Sequence, residues 1–524
     1  MNKDKELERL LAEMREEPIS QLKNKKNSVK TSTAASSDNS RIRDQLWEQS
    51  ITSTAGDGVL WNKEFKVGGK VDQFLKESSQ LSRLSQNPDD RRSLLKDVQR
   101  LAVEEAIRWR EMSKLAGEFR LMGGDKLGAK WTRQFEKWLY SRRAACPTCP
   151  AGIFPLGKEN EKDEELKRKL EAAGISSKQA EKICETIGKG ARKAAATVGR
   201  TLVGKGGKVK VKRVDMQEGE RTRTKYVLRC SGVTMEVNFD HYVKLQELMK
   251  HSGFVKHSDM TESFISCAIF SLLARYSSFQ GGHYKAGGFQ AAIHGSCFDT
   301  LMVEFGCWLE CFASPMNCRY SRFCSAHFDT DYIFGSIGSF FQFFPREGSF
   351  EANPPFDDGT ILKMIDHMED IFSKSSLPLS FIIIIPYLPD QNGWRRVYSS
   401  EYKRAHLKVK QAEHGYFEGS QHDRINRYRI APFDTSVIFL QNEAGSEKWP
   451  ATKEKLLKLR NAFKPKLELN PHGLNFVAPD HSDNEEDEAG REQLEESGDE
   501  NEENEKRVKS DVKHNEVSTK RQKR

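Results

Sequence analysis

The sequence predicts an α/β protein in which an N-terminal helical domain leads into a mainly parallel, doubly wound sheet. Two late segments, LSFIIIIPYL and TSVIFLQNE, are apolar without alternation, as strands buried on both faces are. A helical pattern, TILKMIDHMEDIFSK, precedes the first of them, and helices between strands cover the faces of a parallel sheet. Glycine-rich stretches, GGHYKAGGFQAA and FGSIGSFF, separate these elements where the chain must turn sharply.

From the N-terminus, residues 1–40 read as a charged helix or a disordered segment, ending in the polar stretch TSTAASSDNS. Residues 41–187 are the predicted helical domain. Within LLKDVQRLAVEEAIRWREMSKLAGEF, Leu95, Val98, Leu101, Ala102, Ile107 and Trp109 recur near helical spacing. Trp131, Phe135 and Trp138 follow at intervals of four and three, which sets them on one helix face as a core stripe. Residues 161–187 read as a further charged helix.

Residues 188–256 form a basic, strand-rich connecting region, with twelve Lys and Arg against three acids between 188 and 225. There GKVKVKRV alternates apolar and basic side chains, the pattern of a strand with one basic face. Two readings stay open for Lys208, Lys210, Lys212 and Arg213. They line a solvated hairpin, or they track phosphates and gain affinity by releasing counterions.

Residues 257–465 carry the α/β pattern: the helix SFISCAIFSLLARYSSF, the strands GCWLECFASP and SFEA, then the helix and strands above. Residues 466–524 are expected to be a disordered tail. Positions 480–505 hold fourteen acids against one basic residue, and 506–524 hold eight Lys and Arg against two acids. The chain's net +8 therefore hides a body, residues 1–479, at +15. A body this basic favours a polyanionic partner. The closing runs KRVK and STKRQKR fit nuclear import or a merely solvated tail.

Several classes fall away. The longest apolar run, FIIII at 381–385, is far below the ~20 residues of a membrane span. The start, MNKDKELERLLAEMREE, has no apolar core for a secretory signal. Ten cysteines in 524 residues is not disulfide density, so a reducing intracellular compartment is expected. Cys146 and Cys149 make a single CxxC pair with no second pair to complete a zinc site, and no metal is expected. Cys297, Cys307, Cys311, Cys318 and Cys324 read as buried thiols.

The sharpest chemical signal is Asn353-Pro354-Pro355-Phe356. It follows strand SFEA and precedes a helix, at the carboxyl edge of a sheet where open α/β folds bind ligands. Two prolines fix φ and keep the chain extended. That aims the Asn353 side-chain oxygen and the Pro354 carbonyl at one point. Two convergent acceptors suit an exocyclic amine such as that of adenine, whose lone pair is delocalised into the ring. Hydrogen bonds from both its protons favour a pyramidal nitrogen and turn the lone pair toward an electrophilic methyl. Phe356 would stack on the base, worth ~1–3 kcal/mol.

The Asn-Pro-Pro-aromatic pattern resembles motif IV of the N6-adenine methyltransferases, which use S-adenosylmethionine. Upstream, Glu310 in ECFASP resembles that superfamily's motif I, an acid followed by Phe-Ala-small, although Ser314-Pro315 stands where Gly-x-Gly is usual. Further blocks follow in order: ECFASPMNC, DTDYIFGSIGSFF, GSFEANPPF, PLSFIIIIP, EYKRAHL, EGSQH and SVIFLQNEAGSEKW. Over residues 287–449 they resemble the phosphorylated CTD-interacting factor family, the cap-specific mRNA adenosine N6-methyltransferases. The resemblance implies a Rossmann-like core beside a helical domain. Its expected substrate is capped RNA polymerase II transcripts, methylated on the 2'-O-methyladenosine beside the 7-methylguanosine cap. By motif, Asn353, Pro354, Pro355 and Phe356 form the catalytic loop. Glu310, Phe312, Asn317, Phe334 and Gly335 become cofactor contacts, together with Phe289 and Gln290 from the GFQ block. Lys403, Arg404, His406, Gln421 and His422 lie downstream of the active-site strand, where loops can face the same crevice and meet the capped RNA.

Animal members of the family carry a WW domain, which needs two tryptophans ~20 residues apart in a three-stranded sheet. Trp47 and Trp61 are 14 apart, while Trp109 and Trp131 lie in helical patterns. The spacing predicts that the WW domain is absent, leaving recruitment to RNA affinity rather than to the polymerase tail.

Overall fold

The computed structural model describes Ser79 and residues 88–127, 131, 134–136, 138–139, 163–201, 207–218, 221–255, 257–282, 291–417 and 428–463. Expectations for residues 1–40, Cys146, Cys149, Phe289, Gln290, Gln421, His422 and the tail from 466 lie outside the described residues. All described residues belong to one of the chain's two units, the one containing Thr54–Lys466.

The helices come first. A 40-residue helix, α1 (Pro88–Leu127), is followed by α2 (Glu164–Ala172) and α3 (Ser177–Thr201). The predicted apolar spacing in α1 serves two cores in succession. Val98, Ala102 and Ala106 join one, while Met112, Leu115, Ala116 and Phe119 meet Ile183, Ile187 and Ala191 of α3 in another. Trp131, Phe135 and Trp138 are buried in that second core, as their shared face predicts. Asp163 starts α2 by accepting from the Leu166 amide at 3.0 Å, and it also takes the Trp138 indole N–H at 2.6 Å.

Next is an antiparallel meander of β1 (Lys210–Glu218), β2 (Arg221–Cys230) and β3 (Val233–Asn238). The basic alternation holds. Val209 is buried and Val211 packs on the core, while Lys208, Lys210 and Lys212 are exposed. Arg229, directly opposite Lys210 on β2, extends the same basic face. Arg213 leaves that row, since it shares its face with Asp215, 3.2 Å away. Two helices cover the apolar face: α4 (Phe239–Ser252), capped by Asn238, and α5 (Glu262–Phe279), capped by Thr261. At the α1–α5 contact, buried Arg275 donates to both Glu105 oxygens at 2.8 and 2.6 Å and reaches Asp329 at 2.9 Å.

The remainder is built from α6 (Gly295–Phe305), β4 (Cys307–Ala313), β5 (Phe323–Ser325), β6 (Gly348–Ala352), α7 (Asp358–Ser373) and β7 (Leu379–Pro386). Then come α8 (Asn392–Tyr398), β8 (Lys403–Val409), β9 (Gly415–Phe417), β10 (Tyr428–Ile430), β11 (Thr435–Gln441), α9 (Glu443–Lys448) and α10 (Lys453–Phe463). Six strands make one sheet in the order β5-β4-β6-β7-β11-β8. The β5/β4, β4/β6 and β6/β7 pairs are parallel, and β11 runs antiparallel to both its neighbours.

This explains the unbroken apolar run of β7. Phe381, Ile383 and Ile385 enter the core beneath α7, while Ile382 and Ile384 enter the core shared with α6 and α10. Each such buried side chain contributes about 1.5–3 kcal/mol. The five clustered cysteines are buried free thiols, and burial pushes Cys307 and Cys318 up to about 12. Among the described residues, no helix is long and apolar enough to cross a membrane.

Candidate active site

Parallel β4, β6 and β7 bring their carboxyl ends, Ala313, Ala352 and Pro386, to one edge of the sheet. The Asn-Pro-Pro-Phe turn leaves β6 there. Pro354 is buried, while Asn353, Pro355 and Phe356 are half-buried. Phe356 rests against the core under α7. Asn353 Nδ2 donates to the Ala291 carbonyl at 3.3 Å, which orients the amide with its nitrogen toward that carbonyl and leaves Oδ1 as its acceptor. Ala291 is itself anchored, because its neighbour Ala292 exchanges backbone hydrogen bonds with Phe417 at 2.9 and 2.8 Å.

Asp357 closes the turn. Its amide donates to the Pro355 carbonyl at 2.7 Å, and its carboxylate caps α7 through the Thr360 amide at 3.1 Å. The cap is legible as Asp-x-x-Thr ahead of a helical pattern. Lys169 of α2 lies 4.0 Å from Asp357, so the helical layer puts a cation beside this turn. Sequence reasoning missed that residue, since α2 precedes the turn by more than 180 positions and no local pattern links them.

The second wall is the loop after β4. Asn317 Oδ1 accepts from Ser314 N at 2.7 Å and Ser314 Oγ at 2.8 Å, which folds SPMN into a tight turn without the usual glycines. Glu310 is only 2% exposed. Its Oε1 accepts from the Arg319 and Tyr320 amides at 2.7 and 2.9 Å, so that oxygen holds the loop from beneath. Burial raises the Glu310 pKa to about 7, against the pull of those two amides and of Lys244. Its cross-strand neighbour Glu351 is raised further by burial and by Glu310 itself. Phe312 is half-buried beside Phe340, with ring centres 5.1 Å apart.

In the FGSIG stretch the Phe334 side chain is wholly buried, in the core shared with α5 and the meander. Gly335 has φ +108°, and a Cβ there would meet the Ser321 carbonyl oxygen at 2.4 Å. Only glycine fits that turn.

The downstream basic residues are placed differently from expectation. Lys403 to Leu407 of EYKRAHL fall in strand β8, which runs with β7 because both are antiparallel to β11. Lys403, opposite Leu440, therefore starts β8 at the end of the sheet away from Asn353, with Arg404 beside it. The expectation that these two face the crevice is corrected. Lys403 instead lies 3.5 Å over the Tyr398 ring, and Arg404 donates to the Glu401 carbonyl at 2.8 Å. His406 is level with Ala352 but three strands away, about 14 Å at ~4.8 Å per strand. It sits 3.1 Å from Ser436 Oγ, among Tyr387, Trp394 and Tyr398.

Fold and edge define the class: a mixed α/β protein with a mostly parallel sheet and an acceptor-bearing Asn-Pro-Pro-Phe turn at the edge where open α/β folds bind ligands. Comparison with known proteins narrows it. Residues 244–419 match the family model described as "Phosphorylated CTD interacting factor 1 WW domain". The mouse protein named mRNA (2'-O-methyladenosine-N(6)-)-methyltransferase is 38% identical over 242 residues, 45% of this chain and 34% of its own length. The human protein of the same name is 37% identical over the same length and shares. The chain thus spans about a third of the length of the curated relatives it matches.

The family match corrects the expectation that a WW domain is absent. Neither tryptophan pair tested, Trp47 with Trp61 or Trp109 with Trp131, falls inside the matched residues. The tryptophans that do, Trp308 and Trp394, are too far apart for the spacing rule to register them.

Proposed function

We propose that the chain is an S-adenosylmethionine-dependent RNA methyltransferase that methylates N6 of the adenosine beside the 7-methylguanosine cap of mRNA. The observation that carries this is the Asn353 turn. One of its amide N–H groups is bonded to Ala291, which orients the amide, and its acceptor belongs to a rigid proline-fixed edge. The relatives' names specify the same atom, N6, and the same 2'-O-methyladenosine.

In this reading the six-stranded sheet is a Rossmann-like core over residues 257–465, with residues 41–187 as its helical partner. Asn353 Oδ1 and the Pro354 carbonyl accept the two amino protons of adenine, and Phe356 gives the base a face. Bound S-adenosylmethionine supplies an electrophilic methyl. Asn353 orients the amino nitrogen so that its lone pair meets that carbon. Once alkylated, the nitrogen is strongly acidic and its extra proton passes to water, so no buried base is needed.

The chemistry of the loop after β4 fits the donor. Phe312 offers a partly exposed ring, and Gly335 lets the neighbouring turn pack close against the Ser321 carbonyl. Glu310 acts from beneath that loop. RNA phosphates meet Lys169 beside the turn and the exposed row Lys208, Lys210 and Lys212, where Arg229 adds a further cation. The family model's description further supports a nuclear protein working with the phosphorylated polymerase tail.

The test is transfer from labelled S-adenosylmethionine to RNAs that differ only in the cap. Labelling of capped RNA beginning with adenosine supports the proposal. Equal labelling of uncapped RNA moves the substrate to another adenine, and tight RNA binding without any labelling makes the chain a silent scaffold.

A further inference from the structure

We propose that Lys244 is a positioning residue for the methyl donor: with Glu310 it grips the backbone of the loop at 314–320 and holds it in its binding shape. The proposal deepens the function above and rests on its reading of the carboxyl end of β4 as the donor side of the crevice.

Lys244 lies on α4, outside the segment whose motifs suggest a methyltransferase, and it is 1% exposed. Its Nζ donates to the Met316 carbonyl at 2.9 Å and to the Cys318 carbonyl at 2.8 Å. From the strand side, Glu310 Oε1 takes the next two amides, those of Arg319 and Tyr320. A buried lysine thus holds two nearby carbonyls while a buried carboxyl group holds consecutive amides of one short loop. Above them, Asn317 ties back to Ser314. The loop's conformation is set by backbone bonds to two ionisable groups from different elements.

A lysine is a costly choice for this position. Its neighbours Leu245 and Leu248 are buried in an apolar core, where an aliphatic side chain would pack without desolvating a charge. Burial draws the Lys244 pKa down, while Cys318 and Glu310 hold it up. What the ammonium supplies and an aliphatic chain cannot is donors for two inward-facing carbonyls. Without them the carbonyls must turn toward other partners, and the loop turns with them.

The test uses the full chain, with S-adenosylhomocysteine and capped RNA as separate binding probes and steady-state kinetics in both substrates. Lys244→Met should weaken S-adenosylhomocysteine and raise KM for the donor by about tenfold or more. At saturating donor, kcat should stay within about threefold and RNA Kd within about twofold. The variant Lys244→Gln keeps amide donors of shorter reach without the charge, and the same split, smaller in size, is expected of it. That variant carries the test if K244M does not fold.

Donor affinity unchanged in a folded variant overturns the proposal. So does a proportional loss of donor binding, RNA binding and kcat, or failure of both variants to fold, since each assigns Lys244 to stability alone. A wild-type chain that binds neither S-adenosylmethionine nor S-adenosylhomocysteine overturns the proposed function itself, which separates the two failures.

Discussion

Replacing Asn353 by alanine removes a side chain with two tasks, and the structure separates their sizes. The first is the 3.3 Å bond from Nδ2 to the Ala291 carbonyl, at a half-buried position. A neutral bond of this kind contributes about 1 kcal/mol, so stability should change little. The second, under the proposed function, is the acceptor offered to the adenine amino group. Removing one preorganised polar contact to a reacting centre costs about 10²–10³ in kcat, roughly 3–4 kcal/mol of the barrier. Asn353→Ala should therefore lose at least about a hundredfold in kcat, while the Tm falls by only a few degrees and S-adenosylhomocysteine binds as before. Asn353→Asp keeps an acceptor but loses the bond to Ala291, and it should fall between alanine and the parent. The assay is single-turnover transfer to capped RNA at saturating donor, with calorimetric binding of S-adenosylhomocysteine as the control. A kcat within about tenfold of the parent, or an equal loss of donor binding, would refute the acceptor role.

Replacing Lys208, Lys210 and Lys212 together by glutamine should weaken capped-RNA binding and lower the salt slope by up to about one unit for each phosphate no longer neutralised. A slope that does not change would return the row to plain surface. Gly335→Ala adds a Cβ at φ +108° against the Ser321 carbonyl oxygen, 2.4 Å away. We expect it to cost about 3 kcal/mol and roughly 5–10 °C in thermal unfolding, and a Tm within a degree or so of the parent would contradict the close approach. Asp331, buried and bonded by Tyr276, is raised from 3.8 to about 6 by burial. Its folded pKa lies above its unfolded one, so its own contribution to stability is fully present below the unfolded value and declines by about 3 kcal/mol as pH rises through about 6. Asp331→Asn should flatten this slope and raise stability at pH 7.5. Denaturant unfolding across pH measures it, and an unchanged slope would count against the assignment.

What is legible in the sequence is what local patterns encode. The doubly buried strand β7 declares itself through an apolar run without alternation, and β1 through its alternating lysines. The Asn-Pro-Pro-Phe turn can be placed because a short strand and a capped helix bracket it. Less legible is anything set by strand order. Lys403 and Arg404 are expected near the crevice because they follow β7 in the chain. Only the antiparallel insertion of β11 between β7 and β8 reveals that they begin the edge strand at the far end. Glu310 reads as an acid for the cofactor, yet its position in β4 turns one oxygen inward to the loop's own amides. Lys244 and Lys169 leave no local trace at all. Their partners are a loop more than seventy residues away for one and the Asn-Pro-Pro-Phe turn for the other, and such contacts exist only after packing.

The most direct test is to identify the methylated nucleoside itself. Capped RNA starting with 2'-O-methyladenosine and also carrying internal adenosines would be methylated by the purified chain, digested, and resolved by mass spectrometry with the cap dinucleotide intact. The expected result is a methyl group on N6 of the cap-adjacent residue, abolished when the 7-methylguanosine is removed. Methyl groups spread over internal adenosines, or placed on any atom other than N6, would contradict the proposed activity.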